Sequence, residues 1–415
     1  IKFMSNLKVF NIQNLNIFLI SILPIALIVG SLVSNLVIVL ICLFFISDLI
    51  LKKNLIYLNK FNFYFLLIIN VYLIINSFFI SENDESLIKS FAFLRFFILA
   101  YAISYYLILS DDRILKIWTI LFLIVSIDIT FEYFYGKNIL GFESSYKGRI
   151  SSFTGEELKI GGYYFGFIFL CLLFIKQYKQ KYFLIFAITF FVISLLIGER
   201  SNFAKILIMY SLFFIFFYEA KILKKIGILC FFILICSIIL ISSQSLKTRF
   251  VNQFFNQDLI EKAKFFNKEK NYKKIISENR HFSHYYVATS IFRENILFGS
   301  GFKSFRVESL KDKYKKDDIY GGSTHPHQFH FEILSELGIV GYILIFSNLI
   351  YVIFRKFNYK KEFYRSGALL FIVASLIPIL PSGSFFTSYG ATIFFINYSF
   401  LIRPDLQNGL KNKSE

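Results

Sequence analysis

"IGILCFFILICSIILISS", residues 226–243, runs for eighteen residues without a charge. As an α-helix it is about 27 Å long, close to the roughly 30 Å hydrocarbon core of a bilayer. Inside lipid the backbone must satisfy its own hydrogen bonds, so such a run reads as a spanning helix. The short alternating segments of a membrane β-barrel are absent.

Working outward, runs of this kind recur along the whole chain. We count about twelve, at 17–32, 35–51, 61–80, 87–109, 114–135, 161–175, 182–198, 203–219, 226–243, 329–354, 366–381 and 385–402. Pro24 and Gly30 break the first two, which are otherwise nearly continuous. Of 415 residues, 56% are hydrophobic and only 17% charged, too little polar surface for a soluble protein of this size. The expected fold class is therefore all-α, a polytopic helical membrane protein. The net charge of +18 is assigned to loops that anchor on anionic lipid, so membrane lipids are expected partners and nucleic acid is not. Cys42, Cys171, Cys230 and Cys236 lie inside apolar runs without metal-ligand spacing and read as small core residues. No small-residue cleavage site follows the first apolar run, so no cleaved signal is expected. The natural start is expected upstream of Ile1 or at Met4.

Lysine and arginine in short loops set the orientation. "LKKNLIYLNK", "KQYKQK", "KILKK" and "RKFNYKKEFYR" follow the second, sixth, eighth and tenth spans and share one face, the cytoplasmic one. "SENDES" and "GERSN" on the other face are acidic or nearly neutral, and "SDDR" fits the inside poorly. Two longer segments, 136–160 and 244–328, then lie outside, and both termini lie inside. The expected division is a first membrane part (1–243), an outer loop domain (244–328) and a last membrane part (329–415). Within the loop, 258–278 reads as a charged helix.

Chemistry concentrates on that outer face. All five histidines fall between His281 and His330. His327 opens the tenth span and has the pKa range of a general base near neutrality. Arg200 lies in the tight turn "IGERSNF", Arg280 in "SENRHFSHYY" and Arg149 in "YKGRISSF". A guanidinium fork binds oxyanions in pairs, which suits a phosphate at the interface, although interfacial anchoring explains arginine there as well. Glu332 and Glu336 share one helix face at i, i+4 and either tune a catalytic group or face the loop. Within the membrane, Arg95 is expected to pair with Asp128 or Glu132, lining the site or simply joining helices. A zinc site built from His325, His327, His330, His281 and His284 is the lesser reading. No cysteine accompanies them, and their spacing is not a specific metal pattern. No metal and no cofactor is expected.

The block "HQFHFEILSELGIVG", with His327, Gln328, Gly338 and Gly341, resembles the histidine block of the O-antigen ligase and polymerase superfamily. "GERSNF" is similar to that family's arginine turn. "NRHFSHYYVATSIFRENILFGSGFKSF", with Arg280, Gly299 and Gly301, is similar to the loop segment before the histidine block. The resemblance spans about residues 145–355. It implies transfer of a glycan from an undecaprenyl-pyrophosphate carrier to an acceptor hydroxyl, at the periplasmic face of a bacterial inner membrane, with inversion and without a metal. It implies Arg200 and Arg280 as pyrophosphate ligands and His327 as the group that deprotonates or orients the acceptor. His325 is the fallback, and Arg149, Glu336 and Arg95 are possible supports. Gln328 stands where asparagine is commonest, and the role of His330 is left open.

Ligation of O-antigen to lipid A–core is the leading activity implied. Polymerisation of O-antigen or exopolysaccharide onto a second lipid-linked glycan is the runner-up, and protein O-glycosylation a third branch. A transporter of the same lipids would need inverted repeats and mid-membrane polar groups. Neither is found in the sequence.

Overall fold

The computed structural model describes residues 12–52, 60–146, 148–155, 157–252, 280–314, 322–354, 363–378 and 380–403. The expected charged helix at 258–278 lies outside them. Among the described residues the chain is helical, without a strand. Its principal helices are α1 (Ile12–Val29), α2 (Ser31–Lys52), α3 (Lys60–Phe79), α4 (Ser86–Leu109), α5 (Arg113–Tyr135), α6 (Ile160–Tyr178), α7 (Phe183–Leu196), α8 (Arg200–Leu212) and α9 (Ile222–Ser242). The loop helix α10 (Arg280–Glu294) comes next, then α11 (Phe329–Phe354), α12 (Phe363–Ser375) and α13 (Ser388–Ile402).

Nine helices among the described residues are long and apolar enough to cross a membrane. Three shorter apolar helices, Gln180–Leu196, Phe363–Ser375 and Ser388–Ile402, take the remaining expected positions. The protein is a polytopic helical membrane protein. One boundary shifts in a way that matters below. The eleventh expected span, 366–381, stops at Ser375, and a non-helical strap then runs to Thr387. Pro378 and Pro381 lack the amide hydrogen a continuing helix needs.

Helix α4 packs on α3 and α13, α5 on α1 and α6, and α12 on α6 and α13. Lipid-like solvent offers no hydrophobic drive between helices, so polar side chains join them. Asn62, Asn348 and Tyr398 form such a knot. The Asn348 amide donates to Asn62 Oδ1 at 2.9 Å, and the Tyr398 hydroxyl donates to Asn348 Oδ1 at 2.6 Å. By contrast, only Phe232 of α9 is fully buried, and one side of that helix presents Ile226, Phe231, Ile233, Leu234, Ile238 and Ile241 outward. That face suits lipid.

The loop region docks on α11 through its backbone. Ser300 N–H donates to Ser335 O and Gly301 N–H to Glu336 O, each at 2.9 Å. Ile339 N–H donates to Ile296 O at 2.9 Å. This requires glycine at 338. Its φ is +66°, breaking the helical geometry of α11, and a Cβ there would strike Leu297 O and sit 2.5 Å from Gly299 N. A small core of Val287, Ala288, Ile291, Phe305 and Tyr314 closes above, with Phe331 against it.

Candidate active site

His327 stands just before α11 with φ +57°, a left-handed conformation that is uncommon outside glycine. Its carbonyl accepts the Ser382 amide hydrogen at 2.8 Å. Three imidazoles surround its ring. Centroid distances are 4.1 Å to His325, 5.3 Å to His284 and 5.5 Å to His281. Burial pushes His325 down to about 4, helped by the charges of Lys303, His284 and Arg306. His325 is therefore neutral at ordinary pH, and its Nδ1 lies 3.0 Å from Thr324 Oγ1.

The neighbouring motif residues have structural work. Gln328 Oε1 accepts the Phe331 amide hydrogen at 3.0 Å, so it caps α11 as asparagine would. His330 Nε2 faces Leu376 O at 2.8 Å, which makes Nε2 the protonated nitrogen. Nδ1 then accepts from the Tyr342 hydroxyl at 3.0 Å. His330 thus ties the start of the strap to α11. Glu332 accepts from Ser384 Oγ and from Phe385 N–H, the latter at 2.7 Å. Glu336 accepts from Lys303 N–H at 2.9 Å and Phe305 N–H at 3.3 Å. Of the two expected roles, Glu336 takes the loop-facing one, and Glu332 anchors the strap that meets His327.

The expected Arg95 pairing with Asp128 or Glu132 does not form. Arg95 donates to Asn35 Oδ1 at 3.2 Å and to Ser388 Oγ at 3.1 Å, at the far end of the strap. Asp128 accepts from Ile139 N–H at 2.8 Å and Ser152 Oγ at 2.5 Å; Glu132 accepts from Ser151 N–H at 3.1 Å and Ser152 N–H at 2.5 Å. Both carboxylates are engaged by the 138–152 loop, and Arg95, on the preceding helix, takes other partners.

The arginines form a second group. Arg149 makes an ion pair with Glu199, which also accepts from Asn202 Nδ2 at 2.5 Å. Arg200 is exposed beside them at the start of α8. Arg249, which sequence reading passed over, donates from Nε to Gly198 O at 3.1 Å. Burial, then the like charges of Arg149 and Arg200, hold Arg249 below its ordinary pKa, with Glu199 opposing. Arg280 opens α10, one residue before His281. Its backbone therefore lies beside the imidazole cluster.

The strap joins the two groups. Lys205, one turn beyond Arg200 on α8 and only 3% exposed, donates to Pro381 O at 3.1 Å. The next residue, Ser382, holds His327. Lys205 and Lys303 were also missed in the sequence. For Lys205 a buried lysine inside an apolar run was the available signal; Lys303, in "FGSGFKSF", gave none of that kind.

Residues 183–346 match the family model described as O-antigen ligase. That match supports the O-antigen ligase and polymerase superfamily. The family match takes in α7 through the middle of α11, and with them Arg200, Arg249, Arg280, the histidines, Gly338 and Gly341. Arg95, Arg149 and the strap lie outside it. No curated protein matches the chain. The matched stretch lies within a multi-pass helical membrane protein, the setting in which this family of glycosyltransferase-like enzymes works.

Proposed function

We propose that the protein is an O-antigen ligase. It transfers a glycan from undecaprenyl pyrophosphate to a hydroxyl of lipid A–core at the periplasmic face of the inner membrane, with inversion and without a metal. The observation that carries this reading is His327. It is held in a left-handed backbone conformation among three imidazoles and tied through Ser382 and Pro381 to the helix that begins at Arg200.

In the reaction, His327 accepts the proton of the acceptor hydroxyl as its oxygen attacks the anomeric carbon. The new C–O bond forms while the bond from the anomeric carbon to the phosphate oxygen breaks, and its electron pair leaves with the pyrophosphate. Arg200 and Arg280 neutralise that growing charge. The imidazolium then loses its proton to solvent. Attack opposite the leaving group inverts the anomeric centre. The apolar spans hold the polyprenyl chain.

Proteoliposomes charged with undecaprenyl-pyrophosphate-linked glycan, lipid A–core and chelator test this. Transfer to core that survives chelation and fails in His327→Ala and Arg200→Ala supports the ligase. Lengthening of the donor glycan without transfer to core makes the protein a polymerase. Loss on chelation assigns a metal role.

A further inference from the structure

Two segments distant in sequence converge on the turn between α7 and α8. The loop around Gly148 docks on it through Ile150 N–H, which donates to Ile197 O at 3.0 Å. The approach is close enough that a Cβ on Gly198, whose φ is +75°, would strike Gly148 O and lie 3.3 Å from Arg149 Cα. From the other side comes the segment after α9. Ser243 caps its short helix Gln244–Lys247, and Arg249 then reaches Gly198 O with Nε. A Cβ on Gly148 would lie 3.9 Å from Arg249 Cδ. Arg149, Arg200 and Arg249 are thus brought together by backbone contacts rather than by long flexible arms.

Next to the turn lies an open cleft of about 380 Å³, lined by Tyr133, Tyr146, Ser245 and, of the three arginines, Arg149. Glu132, which also lines the cleft, is already engaged by the Ser151 and Ser152 amides. Arg149 carries a buried Nε without a hydrogen-bond partner. Burial together with mutual repulsion, the effect felt at Arg249, is relieved when an oxyanion enters such a cluster.

We infer that Arg249 completes a three-arginine site with Arg149 and Arg200 that grips a diphosphate, the headgroup of the polyprenyl donor. This rests on the donor assignment made above. Charge alone does not separate the two lipids, since a phosphate monoester is also nearly a dianion at neutral pH; what separates them is that a diphosphate spreads its oxygens over two phosphorus atoms and so can engage more guanidinium groups at once than a single phosphate. Arg249 is then a donor-binding residue, outside the reacting bond, and the acceptor does not meet it.

The test uses the full chain in nanodiscs. Binding of undecaprenyl pyrophosphate and undecaprenyl monophosphate is measured for wild type, Arg249→Gln, Arg249→Lys and Arg200→Gln. Inorganic pyrophosphate serves as competitor. The expected result is a Kd for the diphosphate raised about tenfold in Arg249→Gln and less in Arg249→Lys, with the monophosphate changed under threefold. Competition by inorganic pyrophosphate places the affinity in the headgroup; none places it in the lipid chain and overturns the proposal. Wild-type affinity in both Arg249 variants, with loss in Arg200→Gln, also overturns it while leaving the donor assignment standing. If wild type itself binds no diphosphate, the donor assignment fails as well. Should Arg249→Gln not fold, Arg249→Lys decides alone, and unchanged preference for diphosphate over monophosphate refutes the inference.

Discussion

The amide hydrogen of Ser382 donates to the carbonyl of His327 at 2.8 Å. One residue earlier, Pro381 O accepts the buried ammonium of Lys205. A strap with two proline-enforced breaks thus couples the imidazole cluster to the arginine-bearing helix. Lys205→Met keeps the bulk and removes the donor, leaving Pro381 O unsatisfied by it. We expect kcat to fall on the order of tenfold with donor Kd nearly unchanged, because the lost contact positions His327 rather than binding substrate. Steady-state transfer assays alongside donor binding read the split. A fall in donor affinity with kcat intact would contradict it.

His327→Gln removes the proton acceptor and keeps a side chain of comparable size. Transfer should drop by roughly 10²–10⁴, the usual worth of a general base. Binding of undecaprenyl pyrophosphate should stay within about twofold. Retention of a tenth or more of the wild-type rate would assign the base elsewhere, first to His325.

His325 makes stability depend on pH. Its folded pKa lies at about 4, below the ordinary 6.5. Below pH 6.5 the unfolded chain takes up a proton that the folded chain refuses, so stability is full above that value and is lost as pH falls towards 4. Thermal unfolding in detergent should show a declining midpoint across this window. The decline should be shallower in His325→Asn, and an unaltered slope in that variant would count against the assignment.

Gly338→Ala forces a Cβ into a left-handed residue and against the backbone of Leu297 and Gly299. The conformational cost alone is about 1–2 kcal/mol, and the contact adds to it. Folded yield and melting temperature should fall sharply. Gly341→Ala, whose Cβ would lie 2.4 Å from Leu337 Cβ and 2.9 Å from Tyr72 Cε1, should also be destabilising but cost less, since a helical residue pays no left-handed conformational cost. Equal melting temperatures for wild type and Gly338→Ala would show that the loop docks some other way.

Much of this protein was legible in its sequence, and the reason is local. Whether a segment spans a bilayer depends on its own length and polarity, so helices such as Ile222–Ser242 and Phe329–Phe354 could be read from composition alone. So could the positions of His327 and Arg200 at helix starts. What only the tertiary structure decided involves partners far apart along the chain. His281 and His284 reach His327 because α10 packs on α11. Arg249 joins Arg149 and Arg200 because two glycines allow backbones to touch. Arg95 finds Asn35 and Ser388 rather than a carboxylate, because the 138–152 loop claims Asp128 and Glu132 first. The strap reads as apolar sequence, yet its two prolines and the anchor at Glu332 turn it out of the helix and against His327. Periodicity and hydropathy carry no record of which distant groups compete for the same hydrogen-bond donor. That competition, settled on folding, is what assembles the site.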